Sequence, residues 1–138
     1  MTINSASVTF VTPKLEETRR FYELHFGARP VFDCGWYVVL RLAESGSGAE
    51  VCLMEPREGT APFSGGAVLN LHVSDADGMY DRLVNKAGLT VLIPLEDHPW
   101  GDRGFGLQDP SGVTVYCYHP IAPAREFRKY FIEDDQDQ

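Results

Sequence analysis

The chain has 138 residues, 43% of them hydrophobic, and a formal net charge of −8. That length fits one ordinary domain, or two small modules sharing a core, and the apolar fraction is enough to bury one. The acidity argues against a nucleic-acid partner, no apolar run approaches the roughly 20 residues that cross a bilayer, and residues 1–6 lack the basic and apolar stretches of a secretory signal.

Residues 7–12 alternate polar and apolar, as a half-buried strand does. Thr12-Pro13 is then placed to start a helix, with a stripe at Leu15, Thr18, Phe21, Tyr22 and Leu24 and a stop at Gly27. Strands are expected at 30–33, 36–42 and 50–55, with turns at Cys34-Gly35 and 45–48. The Pro- and Gly-rich stretch 56–66 reads as a linker. A strand at 67–73 follows, then a helix capped by Ser74 with Asp77 three residues on, ending near Lys86 before Gly88. Strands are expected near 90–95, 104–108 and 113–118, the last two joined by the turn Asp109-Pro110-Ser111-Gly112. Residues 120–131 mix aromatic and basic side chains and form a short helix candidate. The acidic run at 133–137 reads as a solvated end.

The order is βαβββ twice. Val8 matches Leu69, Phe10 matches Leu71 and Gly27 matches Gly88, all at an offset of 61. The expected organisation is a single domain over 1–138. Module 1 lies at about 5–58, the linker at about 56–66, module 2 at about 67–120 and a C-terminal extension at 121–138. Side-chain parity adds the third dimension, because successive residues of a strand point to opposite faces. One face carries Val8, Phe10, Val38, Leu40, Val51, Leu53, Leu69, Leu71, Val113 and Val115, and belongs under the helices. The other carries Ser7, Thr9, Tyr37, Arg41, Glu50, Cys52, Met54, Val68, Asn70, His72, Thr114, Tyr116 and Tyr118. That mixture of hydroxyls, rings, a thiol and charges fits a ligand cavity, with a dimer interface or a wet second core as the alternative. The expected fold class is α+β, with the two βαβββ modules pairing into a curved, cavity-forming mixed sheet and the helices on its outer face.

Cys34, Cys52 and Cys117 are odd in number and form no close pair, so neither a disulfide framework nor a zinc knuckle is expected, and a reducing cytoplasm fits best. His25, His98 and His119 read as surface or helix-end residues, and His72 as a structural residue near a strand end. Cys52 reads as an inert buried thiol rather than a nucleophile. Trp36 and Trp100 sit in turn-rich segments at strand ends, where a ring can border a pocket mouth or simply close the end of the core. Asp33, Glu50, Asp97 and Asp102 are the acids placed to lend them negative charge.

Several strings together carry a family resemblance: Phe21-Tyr22 with Phe26-Gly27, Gly35-Trp36-Tyr37, and Pro99-Trp100-Gly101-Asp102-Arg103-Gly104-Phe105 followed by Asp109-Pro110-Ser111-Gly112. Over about residues 5–120 the chain resembles the vicinal oxygen chelate superfamily. That superfamily includes glyoxalase I, extradiol dioxygenases, fosfomycin thiol transferases and bleomycin-resistance proteins. The resemblance implies a metal ligand (His, Gln or Glu) on each of four strands, at positions that fall here on Ser7, Cys52, Val68 and Tyr116. None is a His, Gln or Glu, so no metal and no cofactor are expected. The closest likeness is to the metal-free, bleomycin-resistance-like members, which are commonly homodimers. The expectation is a small-molecule-binding protein whose cavity is lined by Thr9, Arg41, Cys52, Met54, Asn70 and Tyr116, with Trp36 and Trp100 near the mouth. Arg41 also admits an anionic ligand. A divergent lyase, isomerase or dioxygenase using relocated ligands such as His72 and Glu50, and a protein-interaction module, are the rival readings.

Overall fold

A computed structural model describes residues 2–43 and 48–132. The expected turn residues 45–47 and the acidic run 133–137 lie outside the described residues. The elements are β1 (Thr9–Val11), α1 (Leu15–Phe26), β2 (Arg29–Asp33), β3 (Tyr37–Arg41), β4 (Glu50–Met54), β5 (Val68–His72), α2 (Ala76–Tyr80), β6 (Ile93–His98), β7 (Asp102–Gln108) and β8 (Thr114–Pro120). A π-helical stretch, Asp81–Lys86, prolongs α2, and a short 3-10 helix occupies Arg125–Tyr130.

The fold is α+β, with two mixed four-stranded sheets of identical order: β1-β4-β3-β2 and β5-β8-β7-β6. In each, the first strand runs parallel to the fourth and the other pairs are antiparallel. The chain divides into two compact units, Met1–Ala67 with Asp109–Val113, and Val68–Gln108 with Thr114–Gln138. In the first, α1 packs on β3 and β4; in the second, α2 packs on β7 and β8.

The repeat persists at the level of single hydrogen bonds. Ala28 N–H donates to Tyr22 O at 3.1 Å, and Leu89 N–H donates to Leu83 O at 3.0 Å. These pairs are 61 residues apart, and the acceptor side chains are both fully buried. Each bond closes a helix past a glycine in the left-handed region, Gly27 at φ 66° and Gly88 at φ 77°.

Parity holds where strands have two neighbours. Val38, Leu40, Val51 and Leu53 are buried in the first unit, Phe105, Leu107 and Val115 in the second. It fails at Val8, which is 55% exposed just outside a three-residue edge strand. Leu24 is 75% exposed, because two residues beyond Tyr22 is about 200° around a helix and lands on the far side. The second helix is capped by Asp75 rather than Ser74: its carboxylate accepts Gly78 N–H at 3.1 Å. At the first helix the Thr12 hydroxyl accepts Lys14 N–H at 3.0 Å, and the helix itself starts at Leu15. β6 lies at Ile93–His98, later than expected, because the pairing slips between Ile93 and Glu96 around Pro94.

Candidate functional site

The two sheets share an order but not hairpin lengths. Phe32 faces Val39 across the first hairpin, seven residues on, whereas Ile93 and Gly106 are thirteen apart. Val39 faces Cys52, thirteen residues on, whereas Gly106 and Tyr116 are ten apart. The β6–β7 hairpin is thus six residues longer than its counterpart, and the added length carries His98, Trp100 and Asp102. A turn closed by Gly101 N–H to His98 O at 3.0 Å, with Gly101 at φ 115°, sets His98 directly opposite Asp102.

Tyr116 on β8 pairs with Gly106, yet its hydroxyl reaches Asp102, further along β7. Its ring crosses Gly104, where a Cβ would stand 2.7 Å from the ring's Cζ and hydroxyl oxygen. The chain therefore needs a bare backbone at that position. Three donors converge on the Asp102 carboxylate: Tyr116 O–H at 2.5 Å and His98 Nδ1–H at 2.8 Å on Oδ1, and Trp100 Nε1–H at 2.8 Å on Oδ2. Burial alone pushes this carboxyl up, but the donors from Tyr116, His98 and Trp100 prevail and hold it below its ordinary range. Burial, reinforced by the Asp102 carboxylate, pushes the Tyr116 phenol well up, so it stays a donor.

Around this carboxylate runs a row of five rings. His98 stacks on Trp100 with centroids 4.6 Å apart and planes 2° from parallel. Tyr116 lies 6.2 Å from His98, Tyr118 stacks at 5.8 Å from Tyr116, and His72 stacks at 5.4 Å from Tyr118. Asn70 is the register partner of Tyr116 and is exposed. Phe127 meets Trp100 edge-on at 6.4 Å. Such contacts contribute about 0.5–1.5 kcal/mol each beyond area burial. The second unit thus brings together Asn70, Trp100 and Tyr116 of the expected site. It adds His98 and Tyr118. His98 is not the simple surface residue expected: its side chain is only 16% exposed. The legible signal was the spacing His98-Pro99-Trp100-Gly101-Asp102, a glycine turn that sets His and Asp face to face. His119 is likewise engaged, its Nδ1 accepting Ala76 N–H at 2.9 Å.

The first unit holds the other expected residues. Thr9 and Tyr37 share a hydrogen bond of 2.8 Å between their hydroxyls. Cys52, register partner of both Thr9 and Val39, is buried, and Met54 is half-buried beside Tyr37. Arg41 bonds Glu50 at 3.2 Å, and the Arg57 guanidinium sits 3.8 Å over the Trp36 ring. Of the four acids expected near the tryptophans, Asp33 is bound by Arg19, Glu50 by Arg41 and Asp97 by Arg103. Asp102 alone among these four is held by aromatic donors instead.

The fold is shared with known proteins. The family model for the glyoxalase/bleomycin resistance protein/dioxygenase superfamily matches residues 4–116. The chain belongs to that superfamily. A member of this superfamily from Sphaerobacter thermophilus superposes with a TM-score of 0.68 at 25% identity, covering 86% of this chain and 98% of that one. TnmS3, an antibiotic-binding protein from a Streptomyces, superposes with a TM-score of 0.68 at 22% identity, covering 86% and 97%. An uncharacterised protein from Mycobacterium bovis is 39% identical over 59 residues, 41% of this chain and 38% of its own length. The chain thus spans little more than a third of the curated relatives it matches.

The metal enzymes of the glyoxalase superfamily raise the question of a metal here. Val68 offers only hydrocarbon and is exposed, Cys52 is buried, and the Tyr116 hydroxyl proton is committed to Asp102. Together with Ser7 these residues do not form the oxygen and nitrogen donor set such an ion needs. Among the described residues no group of three or more His, Cys, Asp or Glu side chains is placed to hold a metal. Among the described residues no helix is long and apolar enough to cross a membrane.

Proposed function

We propose that this member of the glyoxalase/bleomycin-resistance superfamily binds a small planar molecule, and does so without the metal site of the superfamily's enzymes. The observation that carries the reading is Tyr116. Where the resemblance to the metal enzymes implies a ligand, this chain has a phenol that donates to Asp102 and stands in the middle of a row of five rings. Such a row offers polarisable apolar area at low side-chain entropy, with nitrogens and hydroxyls at its tips for orientation. The description of TnmS3 as antibiotic-binding supports the class of ligand. In this reading Trp100, Tyr116 and Asn70 contact the ligand. The chain works as a cytoplasmic homodimer with no cofactor.

Native mass spectrometry of the purified full chain, with metal content read from the same sample, tests this first. The expected result is no stoichiometric Zn, Fe, Mn or Ni, together with saturable quenching of tryptophan fluorescence by planar aromatic compounds. One metal ion per chain overturns the reading and turns attention to a lyase, isomerase or dioxygenase.

A further inference from the structure

Three of the four acids expected near the tryptophans are each bound by an arginine, and both oxygens of the fourth, Asp102, already accept hydrogen bonds. Each of these carboxylates is therefore already engaged by a donor within the protein. The hydrogen-bonding group left over is on His98. The Tyr116 hydroxyl gives its proton to Asp102, so Nδ1 of His98, 2.8 Å from the same carboxylate oxygen, must carry a proton of its own. In a neutral imidazole that leaves Nε2 with its lone pair. Nε2 has no partner among the described residues. Because no buried side-chain nitrogen or oxygen among the described residues lacks a partner, Nε2 is open to solvent.

We propose that His98 Nε2 is the orienting acceptor of the site, selecting planar aromatic ligands that carry a hydroxyl or ring N–H donor over those that do not. Asp102 is the positioning residue that fixes the tautomer. This rests on the planar-ligand reading above and deepens it by naming the chemical class. The chemistry is discriminating because a group that must hydrogen-bond rejects analogues lacking the partner more sharply than an apolar contact does.

Calorimetric titration of the full chain with naphthol and with its methyl ether tests the proposal, since the pair differs only in the donor. Naphthol is expected to bind about tenfold more tightly. In His98→Ala the preference collapses toward parity, and in His98→Gln, whose amide oxygen sits near the former Nε2, it partly returns. Asp102→Asn, which frees the tautomer, lowers the preference while retaining folding by circular dichroism. Equal binding of the two probes to the native chain overturns the donor rule alone. A preference that survives His98→Ala, with both affinities weakened in parallel, also overturns it. Binding of neither probe up to about 1 mM overturns both the rule and the planar-ligand reading beneath it.

Discussion

Gly104 shows how little separates a ring row from a disrupted strand. Its φ is unremarkable, so the constraint is space: an added Cβ would lie 2.6 Å from the Cys117 carbonyl oxygen and 2.7 Å from the Tyr116 ring. The carbonyl belongs to a paired β-strand and cannot swing away, so the strain falls on the β7–β8 ladder and on Tyr116 together. Gly104→Ala is expected to cost about 1–3 kcal/mol, measured by urea unfolding, and to loosen the hold of Tyr116 on Asp102. Tyr116→Phe separates these effects, since it removes only the hydroxyl. The Asp102 carboxyl is held low in the folded chain, so its contribution is present above the unfolded carboxylate value, 3.8, and is lost as pH falls through the lower folded value. Tyr116→Phe should therefore cost stability at neutral pH and progressively less in acid. A cost that does not change with pH would mean that the hydroxyl acts by packing and not through the carboxylate.

At the scale of elements, the Asp109–Val113 turn and α1 hold one another. Tyr22 O–H donates to Asp109 Oδ2 at 2.6 Å, while Oδ1 accepts Ser111 N–H at 2.8 Å and Val113 N–H at 3.0 Å. Asp109 is 3% exposed, and burial outweighs these donors and raises its carboxyl above the ordinary range. Asp109→Ala leaves buried donors without an acceptor and is expected to cost about 2–4 kcal/mol. Asp109→Asn keeps an oxygen for the turn and removes the ionisation cost, so its penalty should stay within about 1 kcal/mol. The sign with pH is opposite to that at Asp102. A raised carboxyl favours the fold below its unfolded value and loses that advantage as pH rises through the folded one. Asp109→Asn should accordingly improve relative to the native chain as pH climbs through that range, which paired urea titrations in acid and at neutrality would read. The turn itself was legible in Asp109-Pro110-Ser111-Gly112, and the strand and helix repeat was legible in the recurrence of apolar residues and closing glycines. Hairpin length was not. Periodicity reports which face a residue takes, whereas the six residues added between β6 and β7 change only where strands meet. The facing of His98 and Asp102 was legible in their glycine turn, but the reach of Tyr116 to them depends on that longer hairpin, and so on pairing that no local pattern encodes. Asp75 took the cap from Ser74 for a similar reason: the two differ by one residue in where the helix starts, and His119, 43 residues beyond the helix start, helps to set it.

For the whole molecule, the two units do not coincide with the two halves of the sequence. The chain leaves the second unit at Gln108, contributes Asp109–Val113 to the first, and returns at Thr114. The repeat invites a cut in the 56–66 stretch, but the contacts argue that such a cut leaves the first unit unfinished. Tyr22 and Thr18 are fully buried and Thr12 nearly so. Each turns its hydroxyl to the returning turn: Tyr22 to Asp109, Thr18 to Ser111 at 2.5 Å, and Thr12 to Ser111 at 2.8 Å. Val113 adds a fully buried side chain to the same unit. A fragment of residues 1–66 exposes all of this, losing three hydrogen bonds at about 1 kcal/mol each and about 1.5–3 kcal/mol of valine burial. Against a total stability of about 5–15 kcal/mol for an ordinary domain, that loss is decisive for a piece half the size. The fragment is expected to show no cooperative thermal unfolding by circular dichroism alone, and to gain it when mixed with residues 67–138. Adding a fragment of residues 67–138 that carries Asp109→Ala should restore it less well. A fragment of residues 1–66 that unfolds cooperatively by itself would show that β1 to β4 and α1 suffice, and that the returning turn is an ornament on a finished fold.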